Sequence, residues 1–171
     1  AGIVARAPEP ERMLPVYYLT LGLASPVAFA ATRLQTIVLA FEPADRNRRQ
    51  TLRFAVAAGL ILGLLPLVFI IPGLDDLYYV QLQNLDPADL GWVRQSAAVL
   101  VLLPLAVALR AQSEGLATWL KKPLVVLLGH GVFLITASAA GAAALGLGLA
   151  GCLIGAASLP LGSLASSATM R

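Results

Sequence analysis

Three long stretches of the chain, residues 13–32, 54–74 and 123–170, contain no Asp, Glu, Lys or Arg. An α-helix rises about 1.5 Å per residue, so about 20 apolar residues cross the roughly 30 Å hydrocarbon core of a bilayer. The chain is 58% hydrophobic and only 12% charged, which is about half the charge of a typical soluble domain. These features predict an all-α, multi-pass membrane protein whose helices contact the lipid bilayer.

Apolar runs and turn signals divide the chain into about five transmembrane helices. We place them at about residues 13–41, 51–71, 87–120, 123–140 and 147–168, after an external N-terminal segment of residues 1–12. The third span has the clearest start, because Asp86 suits an N-cap, Pro87 suits the first helical position and Asp89 favours the positive end of the helix dipole. The glycine-rich turn between the fourth and fifth spans gives the weakest boundary.

Prolines lie inside four of these spans, at Pro26, Pro66, Pro104 and Pro160. A proline removes one backbone hydrogen bond and bends a helix. Membrane bundles satisfy the freed carbonyl through neighbouring helices or water. Four such positions favour curved helices around a cavity, as in a transporter, over a tightly packed membrane anchor.

The charged loops predict how the chain is oriented. Basic loops alternate with loops that have no excess of basic residues. The first and third spans are followed by basic residues, namely Arg46, Arg48, Arg49 and Arg53 after the first and Lys121 and Lys122 after the third. The second span is followed by Asp75, Asp76, Asp86 and Asp89, and the sequence ends on Arg171. Short cytoplasmic loops carry an excess of Lys and Arg. We therefore expect the basic loops and the C-terminus to be cytoplasmic. The net charge of +3 is explained by this orientation, and we expect no nucleic-acid partner.

Four ionisable residues from three predicted spans lie at similar depths below the basic loops: Arg33, Arg110, Glu114 and His130. Arg110 is the deepest, because the 11 residues that separate it from Lys121 correspond to about 16 Å of helix. Ionisable groups at such depths are costly and usually face the bundle interior or a wet cavity. One interpretation is that the four residues form a shared substrate-binding or gating site.

A structural interpretation of the same residues remains open. Arg110 and Glu114 are four residues apart on one helical face, so they can neutralise each other. Long side chains such as that of Arg33 can also extend to the headgroup region. For His130, which lies between two glycines, both a packing role and a proton-carrying role are consistent with the sequence.

Signatures of catalysis and metal binding are missing from the sequence. It contains no GxSxG, HExxH or GxxxxGK[ST] motif, and its single cysteine, Cys152, lies in an apolar run. We therefore predict no enzyme, no cofactor and no metal site.

The segment LRAQSEGLATWLKK, residues 109–122, carries a resemblance to a known family. A proline-containing apolar helix followed by L-R-A-x-x-x-G-L, W-L-K-K and an immediate further span resembles the C-terminal half of the progressive ankylosis (Ank-type) transporters. The upstream PVAFAATRLQTIVLAF and the basic loop after it are similar to that family's preceding helix and loop. The family is related to the multidrug-and-toxin extrusion and polysaccharide flippase transporters, which have two six-helix lobes.

This resemblance implies that the five spans correspond to the eighth through twelfth helices of a twelve-helix transporter. It also implies that an N-terminal lobe precedes them. The implied function is export of a small anionic solute, of phosphate or carboxylate type, by alternating access, and Arg33 and Arg110 match arginines of the family pattern. An alternative function is a small accessory subunit that packs against a larger membrane complex.

Overall fold

The computed structural model describes residues 2–41 and 49–171, and within these ranges the chain is helical and has no strand. Its α-helices are α1 (Pro10–Thr32), α2 (Leu34–Phe41), α3 (Arg49–Leu64), α4 (Leu90–Leu100), α5 (Leu102–Trp119), α6 (Pro123–Gly146) and α7 (Gly151–Thr169). Shorter 3₁₀ turns occur at Val4–Arg6, Leu65–Ile70 and Pro87–Asp89, and Asp76–Leu82 forms a π-helix.

Five helical segments of the described residues are long and apolar enough to cross a membrane. They are Pro10–Phe41, Arg49–Ile70, Pro87–Trp119, Pro123–Gly146 and Gly151–Thr169. The expected all-α bundle with about five potential membrane spans is therefore confirmed. The basic loop residues Arg46 and Arg48 lie outside the described residues.

Two of the intramembrane prolines coincide with changes in helix type. The α-helix α3 ends at Leu64, and Pro66 lies in the 3₁₀ turn that follows it. Val101 separates α4 from α5, three residues before Pro104. A proline has no N–H to donate and its ring collides with the carbonyl one turn earlier, which explains why both changes occur close to the proline. Pro26 and Pro160 lie within continuous α-helices.

Helix α5 forms the centre of the bundle and contacts α1, α2, α3 and α7. Its approach to α3 is close because α3 presents Gly59 and Gly63, one turn apart. A methyl group at Gly59 would lie 2.7 Å from the Cα of Leu105, and one at Gly63 would lie 2.5 Å from the carbonyl oxygen of Val101. Small residues with this spacing let membrane helices approach until their backbones touch.

Helix α6 lies at the outside of the bundle and packs chiefly against α7. Of the residues in its most apolar stretch, only 11% are buried. Its exposed large side chains include Leu124, Leu127, Leu128, Leu134 and Ile135. This apolar face suits contact with lipid tails or with another membrane helix.

One end of the bundle carries acidic residues that are joined to arginines. Asp89, at the start of the third span, forms an ion pair with Arg12 of α1. Asp75 lies next to the π-helix and accepts hydrogen bonds from Arg94 of α4, with 2.7 Å between Nε and Oδ2. As expected, Asp86 caps the third span, because its Oδ1 accepts a hydrogen bond from the N–H of Ala88 at 2.9 Å. We call this region the acidic end.

The opposite end of the bundle, which we call the basic end, carries Arg49, Arg53, Lys121, Lys122 and Arg171. The beginnings of α3 and α6 and the ends of α5 and α7 meet there. A buried hydrogen bond of 3.0 Å between the hydroxyls of Ser113 and Ser167 joins α5 to α7 close to this end. The two ends thus carry opposite charge, and the spans connect them.

Candidate functional site

A cavity of about 410 Å³ lies in the bundle between α1, α5, α6 and α7. This volume falls within the usual range of small-molecule sites. Most of its wall is apolar, and the polar residues that line it are Ser25, Thr32, Arg110, Glu114 and Ser163. The remaining lining residues are Leu21, Ala28, Phe29, Leu103, Val107, Ala111, Phe133 and Leu159.

Three of the four helices around this cavity have a proline directly after a residue that lines it. Pro26, Pro104 and Pro160 each follow or precede a lining residue in α1, α5 and α7. Each removes a backbone hydrogen bond from its helix. Each of these three helices therefore lacks one backbone hydrogen bond close to a cavity-lining residue.

Arg110 is held in the cavity wall by two neighbours. Its Nε donates a hydrogen bond to Oε1 of Glu114 at 2.7 Å, and its guanidinium carbon lies 4.6 Å from the centre of the Phe133 ring. The side chains of Arg110 and Glu114 are only 18% and 15% exposed. Among the residues that the structure describes, none accepts a hydrogen bond from the two terminal nitrogens of Arg110.

The pairing of Arg110 with Glu114 is the local neutralisation that their four-residue spacing predicts. The same two side chains also line the cavity. A local ion pair and a role in the cavity wall are therefore geometrically compatible for Arg110 and Glu114. Glu114 occupies one edge of the guanidinium, while the terminal nitrogens remain available to a ligand.

His130 lies on α6 and faces Glu114 across the gap between α6 and α5. Its Nδ1–H donates to the carbonyl oxygen of Val126 at 2.9 Å, which leaves Nε2 as the nitrogen closest to Glu114, 3.8 Å from Oε1. The His130 side chain is 50% exposed and does not line the cavity. His130 is thus adjacent to the Arg110–Glu114 pair without a direct hydrogen bond to it.

Arg33 is separate from the other three predicted site residues. It is exposed and does not line the cavity, although its guanidinium carbon lies 5.4 Å from the ring centre of Phe29, which does. Arg33 also occupies the single-residue break between α1 and α2. Arg33 therefore lies beside the cavity and contacts it through the Phe29 ring.

Several residues of the cavity wall were not predicted from the sequence. Ser25, Thr32 and Ser163 provide hydroxyl groups, and Phe29 and Phe133 provide aromatic faces. A hydroxyl or an aromatic ring in an apolar span has no distinctive sequence signal. Of the features noted in the sequence, Pro26 lies directly beside one of these residues, Ser25.

This arrangement suits the binding of an anion. A guanidinium with free terminal nitrogens can donate two parallel hydrogen bonds to a carboxylate or phosphate. The largely apolar wall lowers the local polarity around the guanidinium, which strengthens such an interaction relative to bulk water. In residues 2–41 and 49–171, no group of three or more His, Cys, Asp and Glu side chains is placed to hold a metal ion.

Comparisons of the chain with protein-family models, with curated proteins and with solved structures found no match.

Proposed function

We propose that this chain is the C-terminal lobe of a secondary membrane transporter that exports a small anionic solute by alternating access. The observation that carries the proposal is the position of Arg110. Its charged group lies in the wall of the cavity between α1, α5, α6 and α7, paired on one side with Glu114 and unpaired at its terminal nitrogens among the described residues. Such a group attracts an anion into an otherwise apolar bundle.

Glu114 has two roles in this proposal. It offsets the cost of keeping the arginine away from water, because an unpaired buried charge is strongly unfavourable. It also fixes the guanidinium so that its terminal nitrogens point away from the paired edge. The solute and Glu114 then bind different edges of the same guanidinium.

The prolines in the helices beside the cavity support a mechanism by alternating access. Three prolines directly follow cavity-lining residues in α1, α5 and α7, and the third span is interrupted at Val101. Hinges of this kind let parts of a span tilt without loss of the whole helix. The resemblance of residues 109–122 to Ank-type transporters supports the same function and implies an N-terminal lobe as the partner that closes the pathway.

Efflux from liposomes that contain the full-length protein tests this function. The liposomes are loaded with labelled phosphate or with a labelled dicarboxylate, and Arg110→Lys is compared with Arg33→Lys. The lysine at 110 keeps the charge but loses the two-pronged donor geometry, so we expect efflux to fall about tenfold, which corresponds to about 1.4 kcal/mol of binding free energy. Arg33→Lys serves as the matched control and should change efflux much less.

An exchange of the two residues, Arg110→Glu with Glu114→Arg, separates binding from simple charge neutralisation. The exchange keeps a possible ion pair but moves the guanidinium by one turn, so we expect normal protein yield with loss of efflux. Unchanged efflux in both Arg110→Lys and the exchanged variant would assign Arg110 a structural role and contradict the proposal.

A further inference from the structure

A second cavity, of about 380 Å³, is present at the basic end of the bundle. It shares no lining residue with the cavity beside Arg110. Its walls are largely apolar and include Leu52 from α3, Leu116 from α5 and Val125 from α6. Two cationic side chains, Lys122 and Arg171, also line it. The cavity thus combines positive charge with an extended apolar surface.

Gln112 of α5 contributes a polar group to this cavity from the bundle interior. The residue is only 2% exposed, yet its amide makes no hydrogen bond within the part of the chain that the structure describes. The buried side-chain atoms without a partner in the described part of the chain are the hydroxyl oxygens of Ser96 and Ser166, so the Gln112 amide itself remains accessible. Because Gln112 lines the cavity, its amide is available to a ligand there.

Arg171 is held against the wall of the same cavity. Its Nε lies 3.5 Å from the hydroxyl of Ser113, a buried residue of α5 that is also hydrogen bonded to Ser167. The terminal nitrogens of the guanidinium are thereby placed near the cavity that Lys122 lines from another direction. No acidic residue of the described chain lines this cavity, so its charge is positive.

The location of the cavity determines which anion it fits. It lies where four candidate spans begin or end, and therefore at the level of a membrane surface. Basic pockets between transmembrane helices at this level bind the headgroups of anionic lipids. A free anion would use the cationic groups but would leave the apolar wall without a partner.

We propose that the cavity at the basic end binds an anionic phospholipid. Lys122 and Arg171 contact its phosphate, the Gln112 amide donates to a headgroup oxygen, and the apolar residues contact the adjoining acyl chain. This site is independent of solute transport and of the cavity beside Arg110.

The proposal is tested by native mass spectrometry of the detergent-purified full chain. The chain is titrated with phosphatidylglycerol or with phosphatidylcholine, and the affinity for each lipid is measured. The wild-type chain should bind the first phosphatidylglycerol more tightly than phosphatidylcholine. Lys122→Gln should weaken phosphatidylglycerol binding about fivefold, the contribution of one cationic side chain near an anionic headgroup. It should leave phosphatidylcholine binding unchanged.

Lys121→Gln is the matched control, because Lys121 is the neighbouring lysine at the same end but does not line the cavity. Equal weakening by Lys121→Gln and Lys122→Gln would show general charge attraction and overturn the proposal. Gln112→Leu, which removes the amide at similar volume, should also weaken phosphatidylglycerol binding and provides a test if Lys122→Gln does not fold. Displacement of phosphatidylglycerol by excess inorganic phosphate would show a site for a soluble anion and would also overturn the proposal.

Discussion

At the scale of single residues, Asp75 shows how a loop carboxylate can become part of the interior. Its side chain is fully buried, and its Oδ1 accepts hydrogen bonds from the N–H groups of Gly73 and Asp76. Burial acts to raise the pKa of the Asp75 carboxyl, but the hydrogen bond and charge of Arg94, together with the two backbone N–H groups, hold that pKa below its ordinary value. The fold therefore favours the ionised form.

This gives a prediction for the dependence of stability on pH. Because the folded-state pKa of Asp75 is lowered, its stabilising contribution is present above the unfolded pKa of about 3.9. It is lost as the pH falls through the folded-state value. We expect the thermal midpoint of the purified chain to fall below about pH 4 and to depend less on pH in Asp75→Asn, which should also be less stable at neutral pH.

The control for this measurement is Asp76→Asn, which changes the neighbouring exposed carboxylate. Its acid transition should follow that of the wild-type chain. An unchanged acid transition in Asp75→Asn would contradict the role assigned to the Asp75–Arg94 pair.

The same scale shows which contacts the sequence can predict. Arg110 and Glu114 lie one helical turn apart, so their pairing follows from helix geometry once the span is identified. Arg94 and Asp75 are 19 residues apart, and Arg12 and Asp89 are 77 apart. These contacts depend on how helices are placed in space, which no local spacing determines.

At the scale of helices, the approach of α3 to α5 depends on the absence of a side chain at Gly63. An added methyl group would lie 2.5 Å from the Val101 carbonyl oxygen, which belongs to the break between α4 and α5. That atom is backbone and cannot turn away as a flexible side chain can. The two spans must therefore separate if position 63 gains a Cβ.

We predict that Gly63→Ala destabilises the bundle by about 1–3 kcal/mol, the usual cost of overpacking a close interface. The matched control is Gly22→Ala in α1, where an added methyl group meets no atom within 4 Å. Since alanine favours helix by about 1 kcal/mol over glycine, the control should be neutral or stabilising. Thermal unfolding in one detergent compares the two variants, and equal midpoints would contradict the close α3–α5 contact.

Helix positions were predictable from the sequence to a greater extent than helix ends and contacts. Apolar runs located the spans, and the Asp86–Pro87 signal correctly identified the start of the third. The fourth span was expected to end near Ala140, whereas α6 continues to Gly146, because the alanine-rich run that follows favours helix. The Gly59–Gly63 spacing is visible in the sequence, but its partner in α5 is not.

At the scale of the whole molecule, the two oppositely charged ends allow a direct test of orientation. Cys152 is fully buried, and its replacement by alanine gives a background for single introduced cysteines. In intact cells, we expect an impermeant thiol reagent to modify Asp76→Cys and to modify Lys121→Cys only after permeabilisation. The reverse pattern would contradict the orientation predicted from the basic loops.

The candidate site was predictable in part at this scale. The sequence indicated ionisable residues at similar depths in three spans, and the structure brings Arg110, Glu114 and His130 close together. It leaves Arg33 outside the cavity, because depth along a helix does not specify which side of the helix faces the interior. Uniformly apolar spans give no periodic signal that would resolve this.

The separation of charge between the two ends also makes the bundle an electric dipole parallel to its spans. A transmembrane voltage of 100 mV changes the energy of one elementary charge by about 2.3 kcal/mol across the bilayer. In a cell whose interior is negative, this field favours insertion with Arg49, Lys121 and Arg171 on the inner side. An energised membrane with a negative interior would therefore act on this charge separation in the same sense as the orientation predicted from the basic loops.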